Sequence, residues 1–337
     1  MPRLAGVSSL ASRAFFLFTY YMPELPEVQT TVNGLQEHVV GLRIADVWSD
    51  YDSPHFKGSN TIKDAAYFKR FKREITGKKI ISVTRRAKNI LVHIGDFRGQ
   101  TSSGTILIHM KMTGHLLYGR YDFDASGKKD PWEPIAPESL KDPFNRHVHF
   151  VISFSNGKHL ALSDVRKFGK VTLIDAKNID EVHGSDHLKN IGPEPLEKSF
   201  DLKMFVSRIN LRKNGKIKQV LMDQSIIAGI GNIYADESLW RAGIHPLERV
   251  ENIQPARSKL LFGAIKKTLT RGIDFGGDST SDYRNVLGEK GEFHETHHAY
   301  QRTGTRCDKR GCGGMIERIV LGGRGTHYCD RHQRLRG

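Results

Sequence analysis

Four residues near the C-terminus have the types and the spacing of a metal site. Cys307 and Cys312 form a C-x4-C pair, and after a gap of 16 residues Cys329 and His332 form a C-x2-H pair. Zinc takes four thiolate or imidazole ligands in a tetrahedron, commonly as two close pairs on facing hairpins. The spacing predicts a small zinc finger with one structural Zn²⁺ ion, although His327 is an alternative fourth ligand. A segment this short would scarcely fold without the metal.

A second candidate site is the sequence GIGN at 229–232, which directly precedes a predicted helix. Asn232 is a natural N-cap residue, and free backbone N–H groups at the start of a helix bind phosphate readily. The pattern is common by itself, but Lys213, Lys216 and Lys218 lie just upstream. Together these residues favour a phosphate contact at this helix.

The composition favours a nucleic-acid partner. The chain has 337 residues, and its 52 lysines and arginines against 37 acidic residues give a formal charge of +15. A surplus of this size attracts phosphate backbones or other anionic surfaces. All three cysteines lie after residue 306, which argues against a disulfide-stapled secreted domain. No apolar run approaches the ~20 residues of a membrane helix, so we expect no membrane contact.

The elements that must position these residues change character along the chain. A helix is predicted from Pro26 to Gly41, because proline suits a first turn and Glu27 complements the helix dipole. One face of this helix is apolar and consists of Val28, Val32, Leu35 and Val39. Five short β-rich runs follow: KKIISV, NILVHI, TILIHMKM, HVHFVISF and KHLALSDV. They predict an antiparallel β-sandwich that carries one helix.

Three stretches without periodicity are predicted to be connections. The stretch from Tyr121 to Phe144 is rich in Asp, Lys and Pro, and it predicts an inserted surface loop. Residues 190–200 predict a linker, after which helical patterning dominates. Glycine-rich residues 276–293 predict a mobile loop.

The first 21 residues differ from the rest of the chain. They contain two arginines and no acid, as a targeting peptide would, but Tyr20 and Tyr21 make a poor cleavage site. We therefore expect residues 1–21 to be translated upstream sequence that is absent from the active protein.

From Met22 to its end the chain resembles the bacterial formamidopyrimidine-DNA glycosylases. The motifs that carry the resemblance occur in the family's order: MPELPEV, RRAKNILVHI, HMKMTG, LSDVRKFG, IGPEPL, LMDQSIIAGIGNIYADESLWRAGIHP and the zinc segment. The resemblance implies an α+β multidomain protein, with an N-terminal antiparallel β-sandwich and helix at 22–180. A helix–two-turn–helix domain at 190–290, with a lesion-recognition loop at 276–293, and a zinc finger at 300–337 would follow.

The same resemblance implies the partner and the reaction. The family clamps damaged double-stranded DNA, excises oxidised purines such as 8-oxoguanine and formamidopyrimidines, and cuts the strand by β,δ-elimination; a monomer in the bacterial cytoplasm is implied. Its nucleophile is an N-terminal proline, which corresponds to Pro23 once Met22 is removed. A proline nitrogen inside a chain is an amide that cannot attack carbon. A free α-amino group titrates near ~8 and can form a Schiff base.

Four further residues match catalytic positions of the family. Glu24 looks like the general acid that protonates the sugar ring oxygen as it opens. Lys88 corresponds to the lysine of the first elimination, although without the resemblance it would be an ordinary phosphate contact. Arg324 corresponds to the zinc-finger arginine of the second elimination. Glu27 matches a second carboxylate, and a helix-capping acid is its alternative.

Nine residues are predicted to bind DNA. Met112, Arg166 and Phe168 match the family's intercalating set, which fills the gap left when a base leaves the stack. Lys213 belongs to the basic run upstream of GIGN. The other five match family DNA contacts, and they are His109, His147, Lys218, Asn232 and Tyr234. His147 has an alternative as a half-buried strand histidine.

The zinc finger departs from the family pattern, which usually has four cysteines with two-residue spacing in both pairs. Two other functions stay open. One is an oxidised-pyrimidine glycosylase of the endonuclease VIII class, which typically lacks both Met112 and the 276–293 loop, so these features favour purines. The other is a catalytically silent DNA-binding protein, since a retained extension would block Pro23.

Overall fold

The computed structural model describes residues 22–96, 98, 102–126, 130–176 and 178–336. The predicted extension at 1–21 lies outside the described residues. Helix α1 spans Leu25–Val39, with a proline in its first turn. Its predicted apolar face is confirmed, because Val28, Val32, Leu35 and Val39 are all buried.

The N-terminal domain is the predicted antiparallel sandwich. Its elements are β1 (Ile44–Ser49), α2 (Ala65–Ile75), β2 (Lys79–Arg86), β3 (Asn89–Gly95), β4 (Ser102–His109), β5 (His115–Phe123), β6 (Trp132–Ala136), β7 (Val148–Phe154), β8 (His159–Ser163) and β9 (Lys170–Ile174). One sheet has the order β1-β7-β8-β5-β6 and the other β2-β3-β4-β9, and every pair is antiparallel. The apolar face of α1 packs into the core between them.

The predicted surface loop between Tyr121 and Phe144 is wrong for its second half. Strand β6 extends the five-stranded sheet beside β5, and Trp132 and Leu140 are buried. They form a second apolar cluster with Leu117 and Val151, residues of β5 and β7 that lie outside the main core. The segment therefore covers a sheet face that would otherwise be exposed to water. Its content of Asp, Lys and Pro gave no indication of this packing.

The second domain is helical. Before it, the short helix α3 (Ile179–Gly184) packs through Val182 on Leu91, Leu107 and Ile174 of the sandwich. The helices of the second domain are α4 (Leu202–Asn210), α5 (Ile217–Met222), α6 (Asn232–Ala242) and α7 (Pro255–Asp274). They enclose a core of their own, and Leu25 from the start of α1 belongs to it. The first turn of α1 therefore lies at the junction of the two domains. Among the described residues no helix is long and apolar enough to cross a membrane.

The C-terminal hairpin consists of β10 (Ile316–Leu321) and β11 (Arg324–Cys329), with a tight turn of two glycines between them. Trp240 of α6 packs against the hairpin and the cysteines. Residues 276–292 contain no helix or strand, and a 3₁₀ helix begins at Phe293, yet Tyr283, Arg284 and Val286 are almost fully buried. The mobility of this segment stays a prediction.

Candidate active site and zinc centre

The carboxylate of Glu24 occupies the start of helix α6. Its Oε1 accepts a hydrogen bond from the N–H of Ile233 at 3.0 Å, and its Oε2 accepts one from the N–H of Tyr234 at 3.4 Å. The prediction that Asn232 is the N-cap is wrong, because Gly231 holds that position and Asn232 is the first helical residue. The N–H groups that we expected to bind phosphate bind an acid of the same chain instead.

The glycines of GIGN make this contact possible. A Cβ atom at Gly231 would overlap the carboxyl group of Glu24. Gly229 has a positive φ of 82°, and its carbonyl oxygen accepts a hydrogen bond from the N–H of Leu25 at 3.0 Å. The two glycines therefore let the first turn of α1 approach α6 closely.

Glu27 lies one turn further along α1 and accepts three hydrogen bonds. Its Oε2 accepts from the N–H of Glu24 at 2.8 Å, which is the helix-capping contact considered as its alternative. Its Oε1 accepts from the hydroxyl of Tyr234 at 2.6 Å and from the N–H of Asp278 at 2.8 Å. Burial, and then the charge of Glu24, raise the pKa of Glu27 to about 8 against these donors. Two buried carboxyl groups thus share one small site.

Lys88 faces the same site from the turn between β2 and β3. Ala87 has a positive φ of 52°, and its N–H donates to Glu194 at 2.6 Å. Glu194 also accepts from Arg85 at 2.6 Å and Arg86 at 3.0 Å, so a residue of the predicted linker fixes this turn. Burial lowers the pKa of Lys88, while the negative charge of Glu24 opposes the shift. Burial also raises the pKa of Glu24, and the charge of Lys88 opposes that shift.

Two cavities open on either side of Lys88. The first has a volume of about 130 Å³ and is lined by Met22, Glu24, Lys88, Met222, Gln224, Ile230, Gly231, Asn232, Ile233, Tyr300 and Arg324. The second, of about 250 Å³, is lined by basic residues that include His109, Lys111 and Lys170. Met22 and Lys88 line both cavities. The residue directly before Pro23 is therefore part of the wall of both cavities.

His109 is neutral in this environment. Burial is the main cause that lowers its pKa to about 3, and the neighbouring lysines Lys111, Lys88 and Lys170 add to the effect. Its Nδ1 accepts a hydrogen bond from the N–H of Lys111 at 3.0 Å, so Nε2 carries the proton and is a donor.

Met112, Arg166 and Phe168 come together as one cluster. The Nη1 of Arg166 lies 3.5 Å from the Sδ of Met112, and its guanidinium lies 4.3 Å from the ring centre of Phe168. Phe168 is 42% exposed, which is unusual for a large aromatic side chain. The three side chains come from two loops, between β4 and β5 and between β8 and β9.

Asp164 joins those two loops, and sequence analysis missed it. Its carboxylate is fully buried and accepts from the hydroxyl of Thr113 at 2.5 Å, the hydroxyl of Tyr51 at 2.8 Å and the N–H of Gly169 at 2.6 Å. An aspartate before a basic run has the pattern of an ordinary turn residue. The only available signal was its place inside the motif LSDVRKFG.

The remaining predicted DNA contacts differ in their accessibility. Lys213 is exposed in the turn between α4 and α5, and His147 is half-buried beside Arg146 at the start of β7. Tyr234 is fully buried under Glu27. Lys218 is also buried, and its ammonium lies 2.7 Å from Asp236 of α6.

Lys218 and Asn232 contact the zinc finger. The Nζ of Lys218 donates to the hydroxyl of Thr326 at 2.8 Å, and the side-chain amide of Asn232 donates to the carbonyl oxygen of Gly325 at 3.0 Å. Both contacts hold β11 against the start of α6. For Tyr234, Lys218 and Asn232 a contact with DNA stays a prediction.

Cys307, Cys312, Cys329 and His332 form the predicted metal cluster, and their ligand atoms all lie within 4.8 Å of one another. The Nδ1 of His332 lies 3.5 Å from the sulfurs of Cys307 and Cys312, while its Nε2 lies 3.0 Å from the carbonyl oxygen of Trp240. That hydrogen bond leaves Nδ1 free of a proton and able to bind metal. Three thiols and one imidazole fit a structural zinc ion.

His327 is not part of this cluster. Its Nδ1 lies 3.2 Å from the carboxylate of Asp236, which also accepts the N–H of His327 at 2.8 Å. Of the two alternatives for the fourth ligand, the structure selects His332.

Three family models match the chain. They are the formamidopyrimidine-DNA glycosylase N-terminal domain at residues 22–171, the H2TH domain of the same glycosylase at 191–284, and the zinc finger found in FPG and IleRS at 305–331. The formamidopyrimidine-DNA glycosylase of Herpetosiphon aurantiacus is 36% identical over 308 residues, which cover 91% of this chain and 98% of that protein. The chain belongs to the formamidopyrimidine-DNA glycosylase family.

Further members of the family are similar over almost their whole length. The formamidopyrimidine-DNA glycosylase of Bacillus subtilis is 34% identical over 312 residues, or 93% of this chain and 99% of that protein. The Lactococcus lactis Fpg in complex with abasic-site DNA matches with a TM-score of 0.73 at 32% identity, covering 92% of this chain and 99% of that one. A complex of MutM with DNA containing carbocyclic 8-oxo-G matches equally well, with a TM-score of 0.73 and 93% of this chain covered.

The choice of zinc ligand is testable by metal content. Replacing His332 with Ala removes one of four ligands, so we expect purified protein to lose most of its zinc, from about one ion per chain. The matched variant His327→Gln keeps the cluster intact and should retain its zinc. Elemental analysis of both proteins measures the difference, and zinc loss in His327→Gln alone would contradict the assignment.

The raised pKa of Glu27 predicts a dependence of stability on pH. The folded protein retains a proton that the unfolded chain releases near the ordinary pKa of 4.5, so the free energy of unfolding falls as pH rises from about 4.5 to about 8. In Glu27→Gln this titration is absent, and we expect the loss between about pH 5 and pH 8 to be smaller by on the order of 2 kcal/mol. Urea unfolding at both pH values measures it.

The matched control for that measurement is Glu197→Gln, which removes an exposed carboxyl group. It should keep the pH dependence of the unmodified protein. If Glu27→Gln also keeps that dependence, the proton that the folded protein retains is not held by Glu27.

Proposed function

We propose that this chain is a base-excision repair enzyme that removes oxidised purines from duplex DNA and then cuts the strand as an abasic-site lyase. Membership of the family supports the glycosylase activity, and the related structures contain abasic-site DNA, carbocyclic 8-oxo-G and Fapy-dG. The observation that carries the proposal is that Met22 and Lys88 line both cavities, and that Glu24 lines the first of them. A nitrogen exposed there by the loss of Met22 would face both cavities.

The nucleophile in this proposal is the nitrogen of Pro23. As part of the peptide bond to Met22 it has no available lone pair, so the active enzyme must begin at Pro23. The free secondary amine attacks C1′ of the damaged nucleotide and forms an N–C1′ bond as the bond from C1′ to the base breaks. Opening of the sugar ring then gives a cationic Schiff base, and Glu24 supplies the proton that the ring oxygen takes up.

Strand cutting follows from the electron demand of that cation. Removal of a proton from C2′ expels the 3′ phosphate, and a second elimination expels the 5′ phosphate. We assign Lys88 to the first step, because burial lowers its pKa and so raises the fraction that can accept a proton. Arg324 lines the same cavity and is assigned to the second step, where its charge stabilises the leaving phosphate.

Glu27 and Tyr234 position the residues beside the nucleophile and do not react themselves. Glu27 accepts the hydrogen bond of the Glu24 N–H, one residue after the reacting nitrogen. The hydroxyl of Tyr234 donates a hydrogen bond to Glu27. Tyr234, which matches a DNA-contact position of the family, therefore acts by holding α1 in place. Because the buried carboxyl group of Glu27 holds a proton, it adds no second negative charge once Glu24 has given up its own proton.

The cluster of Met112, Arg166 and Phe168 is assigned to the gap that an extruded base leaves. An exposed ring and a thioether replace the lost stacking, and a guanidinium supplies hydrogen bonds to the orphaned partner base. We assign contacts along the phosphate backbone to His109, His147, Lys213, Lys218 and Asn232. Lys218 and Asn232 act there directly or through the hairpin that they hold. A zinc ion bound by the Cys3His cluster would stabilise the hairpin that carries Arg324.

The chain's setting follows from the same assignment. We place it as a monomer in the bacterial cytoplasm, bound to chromosomal DNA through its positive charge. Residues 1–21 would be absent from the active protein.

Borohydride trapping tests the function. A chain that begins at Met22, and has lost it, should form a covalent adduct with duplexes containing 8-oxoguanine or formamidopyrimidine, because borohydride reduces the Schiff base. The full-length chain, verified by mass spectrometry, is the matched control and should form none. Preferred trapping on an oxidised pyrimidine would favour the endonuclease VIII class, and no adduct with any lesion would leave only a DNA-binding protein.

The contact between Glu24 and α6 predicts a sharp effect of one methyl group. In Gly231→Ala the new Cβ displaces the Glu24 carboxyl group, and we expect base excision to fall by about a hundredfold, as misplaced catalytic groups do. Gly263→Ala is the matched control, since its Cβ would meet open space on α7. Excision by both variants under single-turnover conditions measures the effect, and equal rates would contradict the role given to Glu24.

A further inference from the structure

Arg284 is among the largest fully buried side chains of the protein, with 1% of its surface exposed. It lies within residues 276–293, the segment predicted as a mobile loop. A buried guanidinium is costly unless its charge is paired and its N–H groups are all bonded. Its partners therefore show what this segment is built to contact.

Half of those partners belong to the segment itself. The Nη1 of Arg284 donates to the carbonyl oxygens of Ser281 at 3.0 Å and Tyr283 at 2.8 Å. These bonds fold the segment around its own arginine and give this irregular stretch a defined shape without a helix or a strand.

The other half belong to residues 131–145, which we call the sheet cover because they cover the outer face of β5 and β7. The Nε of Arg284 lies 3.2 Å from Asp142, and its guanidinium lies 4.6 Å from the ring centre of Phe144. A charge pair and a cation–π contact thus fill the remaining faces of the guanidinium.

Two more bonds join the sheet cover to the segment. The hydroxyl of Ser139 donates to the carbonyl oxygen of Leu287 at 2.5 Å, and the amide of Asn145 lies 3.4 Å from the carbonyl oxygen of Gly288. Gly288 has a positive φ of 86°, and a Cβ there would lie 2.7 Å from the carbonyl oxygen of Ser139. The close approach therefore depends on glycine.

The other end of the segment is attached to the active site. Asp278 donates its N–H to Glu27, and the hydroxyl of Tyr283 donates to the carbonyl oxygen of Glu27 at 3.0 Å. Burial raises the pKa of Asp282, between them, and the negative charge of Asp164, which holds the loop of Arg166 and Phe168, adds to the shift. The segment thus runs between the reacting end of α1 and the cluster assigned to the emptied stack.

We propose that the sheet cover, through Asp142 and Arg284, positions residues 276–293 for the choice of the base that is excised. This inference rests on the proposed function. Arg284 is a positioning residue, since it contacts neither the cavity at Lys88 nor Met112. A damaged base that leaves the stack must be held before its bond breaks, whereas an abasic site has no base to hold. Losing the support should therefore affect excision of a base more than cutting of an abasic site.

The experiment examines three variants: Arg284→Gln, Asp142→Asn and the double variant that combines these two substitutions. Each is compared with a control, Lys141→Gln. Lys141→Gln is the matched control, because Lys141 lies in the sheet cover but pairs with exposed Glu138. We expect amide hydrogen exchange across 281–288 to rise by about tenfold in the first two variants, as local opening becomes easier. The double variant should be no worse than either single one, since the two residues act as one pair. The control should match the unmodified protein.

The activity readout is the ratio of two rates, excision of 8-oxoguanine and cutting of an abasic-site duplex. We expect this ratio to fall by about tenfold in Arg284→Gln and to stay unchanged in Lys141→Gln. Equal losses of both rates, or unchanged exchange across 281–288, would overturn the proposal. If the unmodified protein failed to excise any purine lesion, the proposed function would fall, while the exchange data would still decide whether the sheet cover holds the segment.

Discussion

The structure depends on one contact between residues that are far apart in the sequence, the carboxylate of Glu24 on the first N–H groups of α6. Burying an acid is costly unless donors surround it, and a helix start supplies such donors with a favourable dipole. The contact fixes the beginning of α1 against the helical domain, where Leu25 also packs. The start of α1 therefore needs no loop to hold it, because the other turns of this helix lie in the sandwich core.

The same contact explains why charged groups accumulate in so small a space. Once Glu24 is buried, Lys88 lies close enough for its positive charge to favour the ionised acid, and Glu27 is left with the less favourable position beside a like charge. Burial lowers the pKa of Lys88 and raises the pKa of Glu27. Lys88 therefore holds its proton less firmly than a lysine in water, and Glu27 holds its proton more firmly than a glutamate in water. Such opposed shifts are typical of sites that transfer protons.

Local patterns in the sequence were sufficient for whatever depends on near neighbours. The apolar face of α1, the short β-rich runs and the pairs of zinc ligands are each set by spacing within one element or hairpin. The capping of α6 could not be predicted, because the carboxylate that accepts its first N–H groups comes from Glu24. Asp164 and Glu194 could not be predicted either, because most of their partners are distant in the sequence. The sheet cover was mistaken for a surface loop for the same reason, since its polar composition says nothing of the aromatic side chains that pack beneath it.

Helix α6 also connects the zinc centre to the contact with Glu24. Its carbonyl at Trp240 accepts the Nε2–H of His332, and the indole N–H of Trp240 lies 3.4 Å from the sulfur of Cys307. In its middle Asp236 contacts both Lys218 and His327, which bring β11 and so Arg324 toward the first turn of the same helix. Loss of the cluster would therefore displace Arg324 from the cavity without touching Glu24 directly, which makes the finger a structural support for one side of the site and α1 the support for the other.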